Sequence, residues 1–122
     1  EWYNLLEREQ PILCLNNIIS PTHIEDIAKS IIISCEKNLE GVYNLANTEI
    51  FRRKELARQF ASILGKKSVI KLISEKELNF GEFRPPKTFL NSTKFIKETG
   101  FNFTPMKDVF TLFKENRSKK NG

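Results

Sequence analysis

Apolar residues recur with helical spacing in several stretches of the chain. The clearest stretch follows Pro21, where the apolar positions are i, i+3, i+4, i+7, i+8 and i+11: Ile24, Ile27, Ala28, Ile31, Ile32 and Cys35. Thr22 and Glu25 form a capping-box pattern, which predicts that Thr22 caps this helix. A single apolar stripe of this length predicts a helix that packs against another surface.

Other helices are predicted from the same spacing together with start and stop residues. Residues 1–9 end before Pro11, residues 52–64 end before Gly65, and an amphipathic helix follows Pro105. Shorter helices are predicted after Ser74, which forms a capping pattern with Glu77, and after Asn91 or Ser92, where Gly100 ends the helix.

Short apolar or alternating runs predict three strands, at residues 12–15, 42–46 and 69–73. Residues 79–90 are predicted to be irregular, because the pair Pro85-Pro86 fits neither a helix interior nor a central strand. Strands that alternate with helices predict a small mixed α/β or α+β lobe. We assign residues 1–115 to this lobe and residues 116–122 to a basic flexible tail.

Composition restricts the class of protein. The 122 residues are enough for one domain, and 20 basic residues interleave with 15 acidic ones to give a net charge of +5. No nucleic-acid motif accompanies this charge, and no apolar run approaches the roughly 20 residues of a membrane span. The sequence starts without Met, inside a predicted helix, and carries no secretory signal. We therefore expect a fragment of a cytoplasmic protein that binds neither nucleic acid nor membrane.

The residues of common catalytic sites are missing from the sequence. The five glycines are too dispersed for a phosphate-binding loop, and neither tyrosine has a lysine four positions later. The acidic residues Glu25, Asp26 and Glu49 are interpreted as solvated surface charges rather than as catalytic groups. A single histidine and two separated cysteines predict no metal site, and Cys14 and Cys35 are expected to be buried, reduced thiols.

Three local patterns carry a resemblance to a known family. They are the segment Ser20-Pro21-Thr22-His23-Ile24-Glu25-Asp26-Ile27-Ala28, the strand Gly41-Val42-Tyr43-Asn44-Leu45-Ala46 followed by Glu55-Leu56-Ala57-Arg58, and Arg84-Pro85 followed by Leu90, Lys94, Gly100-Phe101 and Pro105. Their order and spacing, across nearly the whole chain, resemble the C-terminal part of the dTDP-4-dehydrorhamnose reductase family. This family belongs to the extended short-chain dehydrogenases.

The resemblance implies a substrate-binding portion of an extended Rossmann-type dehydrogenase that lacks the dinucleotide-binding half. In the parent protein, NADP or NAD would be bound outside this chain, by the missing N-terminal Rossmann half that also carries the Tyr-x-x-x-Lys pair. The implied activity of the parent is reduction of a 4-keto sugar linked to a nucleotide, and the implied ligand of this chain is the nucleotide sugar. Without its partner half, the isolated lobe is expected to self-associate as a homo-oligomer.

Four residues are candidates for substrate binding, and none is a candidate for catalysis. Relatives place an arginine near Arg84 against the diphosphate, and a guanidinium on a proline-stiffened loop suits that role, although it could instead tether the loop. Lys87 could add positive potential or be a solvated loop lysine. Pro21 and Thr22 could contact the ligand or only shape the turn before the helix. His23 is interpreted as a packed or capping side chain.

Two alternatives remain open from the sequence. Nucleotide-sugar epimerases and dehydratases of the same superfamily share the lobe, and many epimerases carry a second phosphate-binding arginine where this chain has Ile19. That difference favours a reductase. The other alternative is a non-catalytic regulatory or scaffold relative that uses the same lobe to bind a protein.

Overall fold

The structure is a computed structural model that describes residues 1–78, 81 and 83–122. Its elements, in chain order, are α1 (Trp2–Glu7), β1 (Ile12–Cys14), β2 (Ile18–Ile19), α2 (Ile24–Glu36), β3 (Phe51–Arg52), α3 (Arg53–Ile63), β4 (Ile70–Leu72), α4 (Glu75–Leu78), β5 (Lys87–Thr88), α5 (Thr93–Thr99) and α6 (Met106–Lys120). Helices alternate with short strands, and the predicted mixed α/β class is confirmed.

The strands of the described residues form two small sheets. β1 and β4 form a parallel pair in which Ile12 lies beside Ile70. In the second sheet β2 is central, antiparallel to β3 and parallel to β5. The second sheet brings the segment after Pro85 next to the segment before Pro21.

The main core lies where β1 and three helices meet. Its buried side chains come from α1, β1, α3 and α6: Leu6, Ile12, Cys14, Leu56, Ala57, Phe60, Ala61, Met106 and Phe110. Leu56 and Phe60 are four residues apart, so both face the core from one side of α3. The Phe60 ring packs against Phe110 and Phe113, with centroids 5.0 and 5.4 Å away. The apolar residues that predicted α3 and α6 from the sequence therefore form much of this core.

A second aromatic cluster holds α5. Phe95 is fully buried, and its ring centroid lies 5.9 Å from that of Phe101 and 6.4 Å from that of Phe103. Tyr43 packs against Phe95 edge-on, with centroids 6.2 Å apart. The cluster connects α5 to the segment around residue 43.

That segment corrects one strand prediction, since residues 42–46 form no strand. Their backbone bonds to side chains near α5 instead of to a neighbouring strand. The Ser92 hydroxyl accepts the Ala46 N–H at 2.9 Å and donates to the Ala46 carbonyl at 2.6 Å, and Lys94 Nζ donates to the Val42 carbonyl at 3.2 Å. Alternating residues favour extended backbone, but a strand also needs a partner.

The second sheet contains elements that the sequence did not predict. β2, β3 and β5 have two residues each, too few for any periodicity to show. β5 lies within residues 79–90, which were predicted to be irregular. Residues 79, 80 and 82 of that prediction lie outside the described residues.

The start and the orientation of α2 differ from prediction. His23 is the N-cap, and its Nδ1 accepts the Glu25 N–H at 3.3 Å, whereas Thr22 bonds elsewhere. The role predicted for His23 is thus confirmed, and the capping box of Thr22 is wrong. The buried side of the helix carries Asp26 and Ser30, while most of the apolar stripe is exposed.

One further prediction is corrected. Cys14 is buried, but Cys35 is exposed because it lies on the outward stripe of α2. The last helix, α6, continues to Lys120. The Arg117 guanidinium lies over the Tyr3 ring, 4.6 Å from its centroid, and this contact connects the end of α6 to α1.

Candidate functional site

The loop that follows β2 is fixed by one buried asparagine. Thr22 Oγ1 accepts the Asn47 N–H at 2.9 Å, and the Ser20 hydroxyl donates to the Asn47 carbonyl. Both main-chain groups of Asn47 are therefore bonded to side chains of this loop. Pro21 lies between the two bonded residues, so its position is set from both sides.

Asn47 also connects this loop to the start of α6. Its side-chain Nδ2 donates to the Thr104 carbonyl at 2.8 Å, and its Oδ1 accepts the Glu49 N–H at 3.0 Å. The second bond is an Asx turn, in which a side chain takes the place of a backbone acceptor. A buried amide that bonds through its backbone and its side chain fixes three chain segments relative to one another.

Two acidic residues of this region, Asp26 and Glu49, were predicted to be solvated surface charges. The structure shows instead that both accept hydrogen bonds within the fold. Asp26 is buried and accepts the Thr104 N–H at 2.7 Å and the Thr104 hydroxyl at 2.8 Å. Glu49 Oε2 accepts the Met106 N–H at 2.6 Å at the beginning of α6. The α6 N-terminus thus receives a carboxylate from outside the helix, where an anionic group is favourable.

Arg84 and Lys87 lie at the edge of the second sheet. The Ile18 N–H donates to the Pro86 carbonyl at 2.8 Å, and Lys87 is the register partner of Ile18. Both basic side chains are exposed. The Pro85-Pro86 pair thus leads into a hydrogen-bonded strand. Arg84 precedes the two prolines in the sequence, and Lys87 follows them.

The register separates the four candidate residues into two groups. Thr22 is four positions after Ile18, while Arg84 is three positions before Lys87, the parallel partner of Ile18. Because β2 and β5 run in the same direction, Pro21 and Thr22 lie beyond one end of the strand pair and Arg84 lies beyond the other. The structure therefore places all four along one strand pair but does not gather them at one point.

Among the residues that the structure describes, the titratable groups with shifted pKa values do not suggest a catalytic acid or a nucleophile. The hydrogen bond from the Tyr43 hydroxyl to the Glu98 carboxylate raises the pKa of Tyr43, so its phenol stays protonated. Burial raises the pKa of the Cys14 thiol, an effect that nearby Arg53 partly offsets. A tyrosine acid or a cysteine nucleophile needs the opposite shift. Within the described ranges, no group of three or more His, Cys, Asp or Glu side chains could hold a metal ion.

A dinucleotide does not fit the glycines of this chain. Gly41, Gly65 and Gly100 have positive φ, but they lie in separate turns, and Gly100 ends α5. A phosphate-binding loop needs such glycines together, in front of a helix. The described residues therefore do not form the cradle that NADP or NAD requires.

The residues that organise the loop after β2 could not be predicted from the sequence. Asn47 and Thr104 carried no signal, because no periodic pattern marks a residue that bonds across loops. Asp26 was visible as an acidic residue in the first turn of a helix, where acids are common. Only its partner, 78 positions away, shows that it is buried and bonded.

Comparison with known proteins found matches among solved structures. No family model matches the sequence, and no curated protein matches it. dTDP-4-dehydrorhamnose reductase from Bacillus anthracis, in complex with NADP, is 21% identical over 92% of this chain and 40% of that chain, with a TM-score of 0.80. The Clostridium acetobutylicum reductase is 14% identical over 96% of this chain and 42% of that chain, with a TM-score of 0.82.

An epimerase also matches. UDP-glucose 4-epimerase from Thermotoga maritima, solved with UDP-glucose, is 17% identical over 99% of this chain and 39% of that chain, with a TM-score of 0.71. None of the helices in the described ranges is long and apolar enough to cross a bilayer. The chain spans about two fifths of the length of these solved proteins. What the likeness shows is the fold: this chain has the same mixed α/β fold as about two fifths of each of these solved proteins.

Proposed function

We propose that this chain is the substrate-binding part of a nucleotide-sugar oxidoreductase that reduces a 4-keto sugar. The observation that carries the proposal is the match to two dTDP-4-dehydrorhamnose reductases, with TM-scores of 0.80 and 0.82 over nearly all of this chain. The three sequence patterns that resemble the same family support it independently.

The comparisons favour a reductase over an epimerase or dehydratase of the same superfamily. A dTDP-glucose 4,6-dehydratase and three UDP-sugar 4-epimerases match with TM-scores of 0.64 to 0.71, below the 0.75 to 0.82 of the reductases. The chain also has Ile19 where many epimerases have an arginine. Ile19 pairs with Phe51 in the second sheet and packs against the core, so it contributes no charge to a ligand.

In the proposed site, Arg84 and Lys87 bind the diphosphate, and Pro21 and Thr22 shape the cleft. Two exposed cations, one in the edge strand β5 and one three residues before it, provide positive potential for an anionic ligand. The guanidinium of Arg84 can form two parallel hydrogen bonds with phosphate oxygens. The fixed geometry of Ser20, Thr22 and Asn47 supplies a stiff wall, which lowers the entropic cost of binding.

The cofactor of the proposed enzyme is NADP or NAD, bound outside this chain by a Rossmann half. One matching reductase was solved with NADP, and another matching enzyme, from Bordetella bronchiseptica, with NAD+. Reduction would therefore require residues beyond these 122. We also propose a cytoplasmic location, where nucleotide sugars would meet such an enzyme.

Calorimetric titration with a dTDP-sugar tests the binding role. The protein of the complete reading frame should bind the dTDP-sugar, and Arg84→Ala should weaken binding by roughly 10- to 100-fold, the effect of losing one or two charge-assisted hydrogen bonds. Arg58→Ala is the matched control, because it removes an exposed arginine from α3 instead of from β5 and its loop.

The outcomes separate the candidate functions. Unchanged binding by Arg84→Ala would reject the diphosphate role of this residue. Tighter binding of UDP-sugars than of dTDP-sugars would favour an epimerase. Absence of binding to either sugar nucleotide would leave the scaffold alternative, and the proposal would fail.

A further inference from the structure

Helix α2 presents its apolar side to solvent. At about 100° per residue, Ile24, Ala28, Ile31, Ile32 and Cys35 occupy one arc of about 100°. All five are exposed, and the solvent-exposed fractions of Ile24, Ile31 and Ile32 are 76%, 54% and 57%. We call these five residues the α2 face. Contiguous exposed apolar surface of this kind is typical of an interface.

The side of α2 opposite to this face carries the two buried side chains of the helix, and both are polar. Asp26 and Ser30 lie there, and the Asp26 carboxylate is held by two hydrogen bonds to Thr104. Turning the helix to bury the isoleucines would break both bonds and would expose the partners of a buried charge. The outward direction of the α2 face is therefore fixed by the hydrogen bonds of the lobe itself.

The apolar surface continues from α2 onto α6. A groove of about 400 Å³ separates the start of α2 from α6, and its apolar lining includes Ile24, Val109, Leu112 and Phe113. Leu112 is exposed as well. The charged side chains of α2 lie outside the arc of the α2 face: Glu25, which lines one side of the groove, Asp26, Lys29 and Glu36. The surface thus fits an apolar protein surface and not an anionic ligand.

The length of the relatives indicates what covers this surface. The two reductases match nearly all of this chain, yet the match covers only 40% and 42% of the length of the reductase chains. We infer that the α2 face and the adjoining α6 groove pack against the cofactor-binding half of the same polypeptide. This inference rests on the proposed function, and it identifies the surface through which the two halves would be joined.

Cys35 provides a built-in reporter for this contact. Its thiol is exposed in the middle of the apolar arc, whereas Cys14, the other cysteine, is buried. Labelling with a maleimide should therefore modify Cys35 quickly in the 122-residue chain and Cys14 only on unfolding. In the protein of the complete reading frame, Cys35 should react more slowly by about tenfold or more, because a packed interface must open before the thiol is reached.

Substitutions on the face test the same contact from the other side. Ile31→Asp should restore fast labelling of Cys35 in the longer protein, because it places a charge in an apolar interface. Val42→Asp is the matched control, since Val42 is also exposed and apolar but lies outside the α2 face. Neither variant should lower the melting temperature of the 122-residue chain, so a folding defect would be recognised.

Three results would overturn the inference. The first is equal labelling rates of Cys35 in both proteins, and the second is a reading frame that adds no further domain. The third is protection that appears only as concentration rises, in parallel with dimers in sedimentation, because that would assign the face to a second copy. Protection of Cys35 without sugar-nucleotide binding would uphold the interface while rejecting the proposed function, so the two failures are distinguishable.

Discussion

The Asp26 carboxylate accepts two hydrogen bonds from Thr104, one from its backbone N–H at 2.7 Å and one from its hydroxyl at 2.8 Å. The two residues are 78 positions apart, one in the first turn of α2 and the other just before α6. Asn47 binds the carbonyl of the same threonine. This relationship holds the loop of Pro21 and Thr22 in place and directs the apolar side of α2 outward.

Replacing Asp26 should strongly destabilise the lobe. Asp26→Ala leaves the N–H and the hydroxyl of Thr104 without their acceptors, at a cost of roughly 2–4 kcal/mol in the free energy of unfolding. Glu36→Ala, at the exposed end of the same helix, is the control and should change stability little. Urea unfolding followed by circular dichroism measures both. Equal, small effects would mean that the buried carboxylate does not hold α2.

The bond between Thr22 and Asn47 can be tested by comparing two substitutions. Thr22→Val keeps the shape of the side chain but removes the acceptor of the Asn47 N–H, so we expect a loss of about 1–3 kcal/mol. Thr22→Ser retains the hydroxyl and should stay near the wild-type value. Thermal unfolding of the two variants measures the difference. The same destabilisation by both would assign the role of Thr22 to its methyl group instead.

The aromatic cluster around α5 should depend on Phe95. Phe95→Ala removes a ring with 0% exposure, and such truncations cost about 3–5 kcal/mol. Phe83→Ala removes a ring that is 77% exposed, and it should change the free energy of unfolding by less than about 0.5 kcal/mol. Denaturant titration distinguishes them. A mild effect of Phe95→Ala would indicate that the second cluster contributes little to folding.

Tyr43 should titrate above its ordinary pKa of 10.0, since its hydroxyl bonds to the Glu98 carboxylate. A pKa raised by folding favours the protonated form, so the stability from this bond is present below pH 10.0 and is lost as pH rises through the raised pKa. In a Tyr3→Phe background, the phenolate absorbance reports Tyr43 alone. Glu98→Gln should lower its titration midpoint, and an unchanged midpoint would refute the role of Glu98.

The parts of the fold that the sequence predicted have a local signal. α3 and α6 have apolar residues at regular spacing, and the stops at Gly65 and Gly100 follow from backbone conformations that glycine favours. The capping pattern of Ser74 and Glu77 also forms, with Ser74 N–H and hydroxyl both bonded to Glu77 Oε2. These features depend on neighbours within about one helical turn.

The rest depends on partners that lie far apart in the sequence. The two-residue strands β2 and β5 exist because they pair with each other, and no pattern within either segment predicts that pairing. Asp26 looked like a solvated acid because helix starts often carry one, and only Thr104 makes it a buried group. The candidate site was therefore predicted as four separate residues. The hydrogen bonds of Asn47 that fix the loop of Pro21 and Thr22 were not predicted.

Reduction of a nucleotide-linked 4-keto sugar tests the central claim most directly. The protein of the complete reading frame, mixed with a dTDP-4-keto sugar and NADPH or NADH, should consume the reduced nicotinamide and form the corresponding dTDP-4-hydroxy sugar. Arg84→Ala should lower kcat/KM, whereas Arg58→Ala should not. A protein that binds the sugar nucleotide but consumes no reduced nicotinamide, or one that only interconverts sugar epimers, would contradict the assignment as a reductase.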